Sequence, residues 1–234
     1  QKTTNDTYLK TDSIKASQDF SQSSLNSFFN FDASKEDLDI SVEFQVYEDL
    51  SIEKDSDKYQ YVYPNFSISK TLNTALNEYG SFNYNANGFQ KKNNTNISET
   101  AFRNDFNFLS KPFFTKSGFI NDFNLFFKNA NTDAKNSSTY KNDLDSNFYT
   151  SLILNSTLPL MKSYSNYESK LKPTLSLRLN PNRSESLTNK DRRINFVNIF
   201  SNNRLALSDS LEGGQSLTMG TEYIFNKKDG LEIL

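Results

Sequence analysis

The sequence lacks several residues on which common protein chemistries depend. Its 234 residues include no cysteine, no histidine and no tryptophan, and only 7 glycines and 5 prolines. Without cysteine there is no disulfide framework and no thiolate chemistry. Without histidine the chain loses the commonest general base and the commonest ligand of transition metals. We therefore expect a protein that is not an enzyme, with no catalytic residue, no cofactor and no metal site.

Long apolar runs and a strong charge of one sign are also missing. No stretch approaches the roughly 18 consecutive apolar residues of a transmembrane helix. The formal net charge of −2 offers no basic surface for nucleic acid. The chain starts without a methionine or the apolar segment of a signal peptide, and it ends within an apolar run. This pattern predicts an internal fragment of a longer protein.

The chain is nevertheless rich in aromatic and in uncharged polar residues. It has 21 Phe and 12 Tyr, together with 31 Asn and 31 Ser, and the mean hydropathy is −0.70. Disordered chains are usually poor in aromatic residues, so disorder does not explain this polarity. A transmembrane β-barrel with a wet interior is polar on one half of every strand, which does explain it.

Apolar and polar residues alternate with a period of two along much of the chain. Residues 170–180 give the clearest case, because five apolar side chains are separated by lysine, threonine, serine and arginine. The apolar positions are Leu171, Pro173, Leu175, Leu177 and Leu179. Successive side chains of a strand point to opposite faces, so this segment has one apolar and one polar face.

The same period returns in about nine segments, each near the 9–11 residues with which a tilted strand spans a bilayer. The predicted fold is all-β, an antiparallel up-and-down transmembrane β-barrel that is present in part, with about nine strands of a larger barrel. Residues 1–22 form a polar lead-in, as a strand or irregular structure, and residues 23–234 form the partial barrel domain. Strands are centred on residues 25–32, 40–46, 59–68, 82–86, 102–108, 119–128, 148–154, 171–179 and 217–225.

The connections between these segments differ in length. Residues 33–37 predict a tight turn, residues 131–143 a long loop, and residues 181–212 a very long one. Their order places the 181–212 loop on the extracellular side. The apolar residues change phase after Pro64, which indicates a bulge or kink there.

One set of residues around the longest loop resembles a known family. The matching positions are Pro173 with the strand at 175–180, Asn180-Pro181, Asp191, Asn198-Ile199-Phe200, Asn203-Arg204, Asp209, Leu211-Glu212-Gly213-Gly214 and Gly220. Upstream, Tyr47-Glu48-Asp49-Leu50 and the residues from Asp57-Lys58-Tyr59 to Tyr63-Pro64 also match. The arrangement resembles the LptD family of lipopolysaccharide (LPS) assembly proteins over roughly residues 20–226. Ser210 stands where the family motif has arginine, and Ala206-Leu207-Ser208 replaces an aromatic–X–Gly triplet.

The resemblance implies a function, a location and partners. The protein would carry LPS into the outer leaflet of the Gram-negative outer membrane, as part of the LPS translocon barrel. Its partners would be LPS, an LptE-like plug lipoprotein, and the periplasmic Lpt bridge through a domain that this sequence does not contain. The resemblance implies no nucleic-acid partner.

A basic cluster in the long loop, made of Lys190, Arg192, Arg193 and Arg204, is the candidate binding site. Arginine binds phosphate through paired hydrogen bonds, so these residues are candidate contacts to LPS phosphates. The alternative is pairing within the loop, with Asp191, Asp209 and Glu212, or simple solvation.

Two other functions are compatible with the alternation alone. One is a different outer-membrane barrel, either a porin or a receptor. The other is a soluble extracellular β-sandwich used for adhesion, in which the apolar face of residues 171–179 would pack on a second sheet.

Overall fold

A computed structural model describes residues 24–52, 58–93, 96–183, 193–227 and 232–233. The prediction for residues 1–22 lies outside this part of the chain. Among the residues that the structure describes, no helix has the length and apolar character needed to cross a membrane.

The fold is all-β, and nearly every described segment is a strand. Nine strands of 12–16 residues confirm the nine predicted segments, and three shorter strands accompany them. The long strands are β1 (Ser24–Lys35), β2 (Leu38–Asp49), β3 (Tyr59–Leu72), β4 (Gly80–Asn93), β5 (Ile97–Ser110), β7 (Ile120–Lys135), β8 (Asp145–Thr157), β10 (Tyr167–Asn180) and β11 (Gly214–Lys227). The short strands are β6 (Phe113–Phe114), β9 (Leu160–Ser163) and β12 (Glu232–Ile233), and a 3-10 helix covers Ala75–Glu78.

Strands that follow each other in the chain are neighbours in one antiparallel sheet. Its order is β1-β2-β3-β4-β5-β7-β8-β10-β11-β12, while β6 pairs with β7 and β9 with β10. This is the predicted up-and-down topology. Within the described residues the sheet is open, with β1 and β12 as its terminal strands, which is consistent with a partial barrel.

The strands divide between two compact units. The first contains β1, β2, most of β3 and the adjoining parts of β4, β5, β7 and β8, at residues up to 70, 84–104 and 129–147. The second contains β6, β9, β10, β11, β12 and the remaining parts of the shared strands, at residues 71–83, 105–128 and from 148 onward.

Burial in β10 is the reverse of what a water-soluble protein has. Leu171 and Leu175 are 37% and 41% exposed, whereas Ser176, Arg178 and Asn180 are at most 4% exposed. We call the side of the strands that carries these three buried residues the polar face, and the side that carries the leucines the apolar face. Leu217 and Met219 extend the apolar face onto β11 and are more than half exposed. A barrel wall in lipid has this distribution.

Aromatic side chains cover the apolar face in both units. In the first unit the rings of Phe66 and Phe102 lie 5.9 Å apart. In the second unit the ring of Phe82 lies 6.1 Å from that of Phe106, and the ring of Phe108 lies 5.8 Å from that of Phe123. These spacings are typical of favourable aromatic pairs.

Polar side chains bond to one another across strands on the polar face of the second unit. Ser176 donates a 2.7 Å hydrogen bond to Asn155, which donates a 2.8 Å bond to Asp122. The bonds link β10, β8 and β7. Such pairing lets amides and hydroxyls lie buried at little cost.

The predicted irregularity at Pro64 is a β-bulge. The register of β2 against β3 passes from Glu43 opposite Asn65 to Gln45 opposite Val62, so two residues of β3 lie opposite Phe44 alone. This extra residue accounts for the change of phase in the apolar pattern.

Two predicted connections have wrong boundaries. Asn131, the expected start of a long loop, lies inside β7, which continues to Lys135. The side chains of Ala130, Thr132 and Ala134 are buried at every second position, so the strand continues although no large apolar residue marks it. The tight turn is also shorter than expected, because Lys35 still pairs with Leu38.

The apolar face of β10 predicts a specific cost for a charge. Leu177→Arg should destabilise the protein in bilayers by about 2–4 kcal/mol if the residue lies near the midplane. Glu222→Arg, at an exposed position on the polar face, should cost under about 1 kcal/mol. Reversible unfolding from lipid vesicles by denaturant measures both, and equal costs would contradict the assignment of the two faces.

Candidate functional site

The long loop after β10 folds back onto the polar face within the second unit. Arg178 of β10 donates hydrogen bonds to the carbonyl oxygens of Glu212 and Gly213, the second at 3.3 Å. Asn180 donates a 2.9 Å bond to the Glu212 carbonyl. The last residues of the loop are therefore fixed to the strand that precedes it.

Glu212 is the centre of a buried charge cluster. One carboxylate oxygen lies 3.1 Å from Nη2 of Arg178, and the other accepts a 2.8 Å hydrogen bond from Nε of Arg204. Nη2 of Arg204 donates a further bond to the carboxylate. All three side chains are less than 15% exposed. Two guanidinium groups around one carboxylate leave an excess of one positive charge on the polar face.

A lysine connects the loop to a second strand. Nζ of Lys128, on β7, lies 2.8 Å from a carboxylate oxygen of Asp105 on β5 and donates a 3.0 Å hydrogen bond to the Ser208 carbonyl. Its side chain is 5% exposed. The lysine charge is thus balanced by Asp105 while its remaining hydrogen-bonding capacity holds the loop.

A glycine makes room for an aromatic ring of the loop. A Cβ atom added to Gly220 of β11 would lie 2.8 Å from Cζ of Phe200, which is too close for an ordinary contact. Gly220 pairs with Thr174 without a register shift, so it marks a close approach and not a bulge. Phe200 can rest on the strand only because residue 220 has no side chain.

Asparagines shape the loop locally. The side-chain oxygen of Asn198 accepts a 2.8 Å hydrogen bond from the amide of Asn195, and its nitrogen donates to the Arg193 carbonyl. Asn203 bonds both the amide and the carbonyl of Leu207, across a turn in which Ala206 has a φ of +49°. The motif asparagines therefore build turns.

The loop ends with a small buried core and a glycine. Leu207, Ser210 and Leu211 are at most 5% exposed. Gly214 then adopts a φ of +82°, a conformation that glycine reaches without strain, and β11 begins there.

The structure places the predicted site residues in different environments. Arg204 is buried against Glu212, which is the pairing within the loop considered as the alternative, while Arg193 is exposed. Asp209 accepts a 2.9 Å hydrogen bond from the hydroxyl of Ser208. Lys190, Asp191 and Arg192 lie outside the described residues. Contact of Lys190, Arg192, Arg193 and Arg204 with LPS phosphates stays a prediction.

Several residues of this site did not emerge from the sequence. Asn180 was one of the matching positions, but the charged residues Arg178, Lys128 and Asp105 come from strands and were not singled out. The available signal was the presence of charged residues on the polar side of the alternation. It does not indicate which of them meet, because strand register and loop path decide that.

The polar face also carries buried polar atoms that have no partner within the described part of the chain. Among the described residues, no hydrogen-bond partner reaches the side-chain oxygens of Asn107, Asn124, Ser151 and Ser216 or Nε of Arg178. Buried polar atoms nearly always have partners, which include water and ligands. The polar face is therefore suited to contact with water and with hydroxyl-rich molecules.

The fold and the site are those of the outer-membrane β-barrel class, in which a sheet has one apolar and one polar face. The chain belongs to the LptD family, since the family model described as "LptD: LPS transport system D" matches residues 1–234. No curated protein matches the chain. The function is LPS transport and assembly at the outer membrane, as the family resemblance predicted. The assignment favours this function over a porin, a receptor or an adhesion module.

Glu212 is expected to be critical for the stability of the loop. Glu212→Gln removes the one carboxylate that Arg178 and Arg204 share, and breaking a buried ion pair typically costs about 3–5 kcal/mol. We expect a loss of about 3 kcal/mol, because the glutamine oxygen still accepts a hydrogen bond. Denaturant unfolding measures it. Glu222→Gln, whose exposed pair with Lys172 spans 3.6 Å, is the matched control and should cost under about 1 kcal/mol. Similar losses in both variants would contradict the role of Glu212.

The contact of Phe200 with Gly220 predicts that the effect of Gly220→Ala on stability depends on the phenylalanine. Gly220→Ala should destabilise by about 1 kcal/mol and expose the loop to protease, because the new methyl group displaces the ring. In the Phe200→Ala background the same substitution should be neutral or stabilising, since alanine suits a strand better than glycine. A double-mutant cycle of unfolding free energies tests this. Additive effects would show that the ring does not depend on the glycine.

Proposed function

We propose that the polar face of this sheet is the surface along which the saccharide part of LPS passes during its assembly into the outer membrane. The apolar face contacts the lipid of the cell outer membrane at the same time. The protein performs no covalent chemistry in this role. The observation that carries the proposal is the inverted burial of β10, in which leucines are exposed while serine, arginine and asparagine are buried.

The chemistry of the polar face supports this assignment. Sugar hydroxyls both donate and accept hydrogen bonds, so they suit a face on which the buried oxygens of Asn124, Ser151 and Ser216 and the buried Nε of Arg178 have no partner among the described residues. Lipid tails can satisfy none of them. A hydroxyl-rich chain therefore gains contacts on the polar face that an acyl chain does not.

The loop contributes a basic surface. Arg193 is exposed and lies beside Lys190 and Arg192 in the sequence, and we propose that these three residues contact LPS phosphates. The guanidinium of Arg204 is occupied by Glu212, so it would act there by adding positive charge and not by direct contact. An LptE-like plug lipoprotein and the periplasmic Lpt bridge are the protein partners that we propose from membership of the family.

Photo-crosslinking from neighbouring positions of β11 tests this function. A benzophenone amino acid replaces Ser216 on the polar face in the whole protein, and Leu217 on the apolar face serves as the matched control. We expect adducts on the sugar part of LPS from position 216 and on acyl chains from position 217, identified by mass spectrometry. Sugar adducts from position 217, or none from 216, would contradict the proposed path.

A further inference from the structure

A cavity lies in the first unit. It has a volume of about 450 Å³ and opens at the ends of β2, β3 and β4 beside the connection between β2 and β3. Side chains of the polar face line most of it, namely Gln45, Tyr47, Asp49, Gln60, Val62 and Asn93. Its volume falls within the range of about 300–1,000 Å³ that is usual for small-molecule sites.

The cavity lining is dominated by neutral hydrogen-bonding groups. The hydroxyl of Tyr47 donates a 2.6 Å bond to Gln45, which fixes both side chains. The amide oxygen of Asn93 is buried, and no donor among the described residues reaches it. The Asn93 side chain lines the cavity, and the terminal torsion of its amide is broad. A ligand that brings a donor suits this unpaired acceptor.

The charge of the cavity lining determines which ligands fit. Nζ of Lys58 lies 3.0 Å from Glu48, and Tyr59 donates a 3.1 Å hydrogen bond to the same carboxylate, so the lysine charge is balanced inside the protein. Asp49 adds a second carboxylate, held by the amide and the hydroxyl of Ser51. The lining is therefore acidic overall and repels phosphate. A neutral ligand with several hydroxyl groups meets no such penalty.

We propose that this cavity is a binding subsite for a neutral saccharide segment of LPS. This subsite rests on the proposed function and deepens it, because the cavity would bind the part of LPS that carries sugars and not the part that carries phosphates. The saccharide hydroxyls donate to Asn93 and Asp49 and accept from the amides of Gln45 and Gln60. The phosphorylated part of the molecule lies elsewhere.

Photo-crosslinking with two forms of LPS tests the subsite. The whole protein in its membrane carries the benzophenone amino acid in place of Val62, and the probes are LPS with its complete sugar chain and LPS truncated to the lipid and its first sugars. We expect adducts with the complete form and at least about fivefold fewer with the truncated form. Equal yields would overturn the proposal in favour of a site for the phosphorylated part.

Substitutions at the open acceptor sharpen the test. Asn93→Leu should lower the yield from the complete LPS about fivefold, the effect of one lost hydrogen bond. Asn93→Asp keeps an acceptor and should restore it, which separates loss of binding from loss of folding. Asn226→Leu removes another buried amide whose oxygen has no partner among the described residues and which does not line this cavity, and it should leave the yield unchanged. An equal fall in all three variants would overturn the assignment to Asn93.

The crosslinks from position 216 distinguish the two proposals. Sugar adducts at 216 without adducts at 62 would reject the subsite and leave the proposed function intact. An absence of sugar adducts at both positions would reject the proposed function, and the subsite with it.

Discussion

Hydrocarbon offers no hydrogen-bond partner, so a sheet in a membrane must satisfy its backbone N–H and C=O groups with its own neighbouring strands. The antiparallel order from β1 to β12 does this for long strands of 12–16 residues. Once the backbone is satisfied in this way, the alternation of side chains gives the sheet one face suited to lipid and one suited to water. Lipid contacts the face of Leu171 and Leu175, and the opposite face is free to carry serine, asparagine and arginine.

The polar face accepts charge because each buried ion has a partner on a nearby element. Glu212 pairs with both Arg178 and Arg204, and Asp105 pairs with Lys128. The same contacts bring the loop onto the strands, since two of the cations also bond its carbonyl groups. Neutral side chains on this face form bonds between strands or carry buried atoms that have no partner among the described residues. One surface therefore combines an ionic cluster with unpaired neutral polar groups.

The strands were largely predictable from the sequence, and the site only in part. The period of two gave all nine long strands, and the phase change at Pro64 gave the bulge. Strand ends were missed where alanine and threonine continue the period without a large apolar side chain, as at residues 130–134. The motif located Glu212 and Arg204, but their partner Arg178 depends on the path by which the loop returns to β10, and a local pattern does not record it.

The absence of a side chain at Gly220 makes room for the ring of Phe200. The ring occupies the space that a side chain at residue 220 would fill. A relative with a larger residue at that point has to carry a smaller one in place of the phenylalanine, or route its loop differently. The two positions lie twenty residues apart, one in the loop and one on a strand, and we expect them to covary. Their joint variation among homologues would record where the loop lies in proteins whose structures have not been determined.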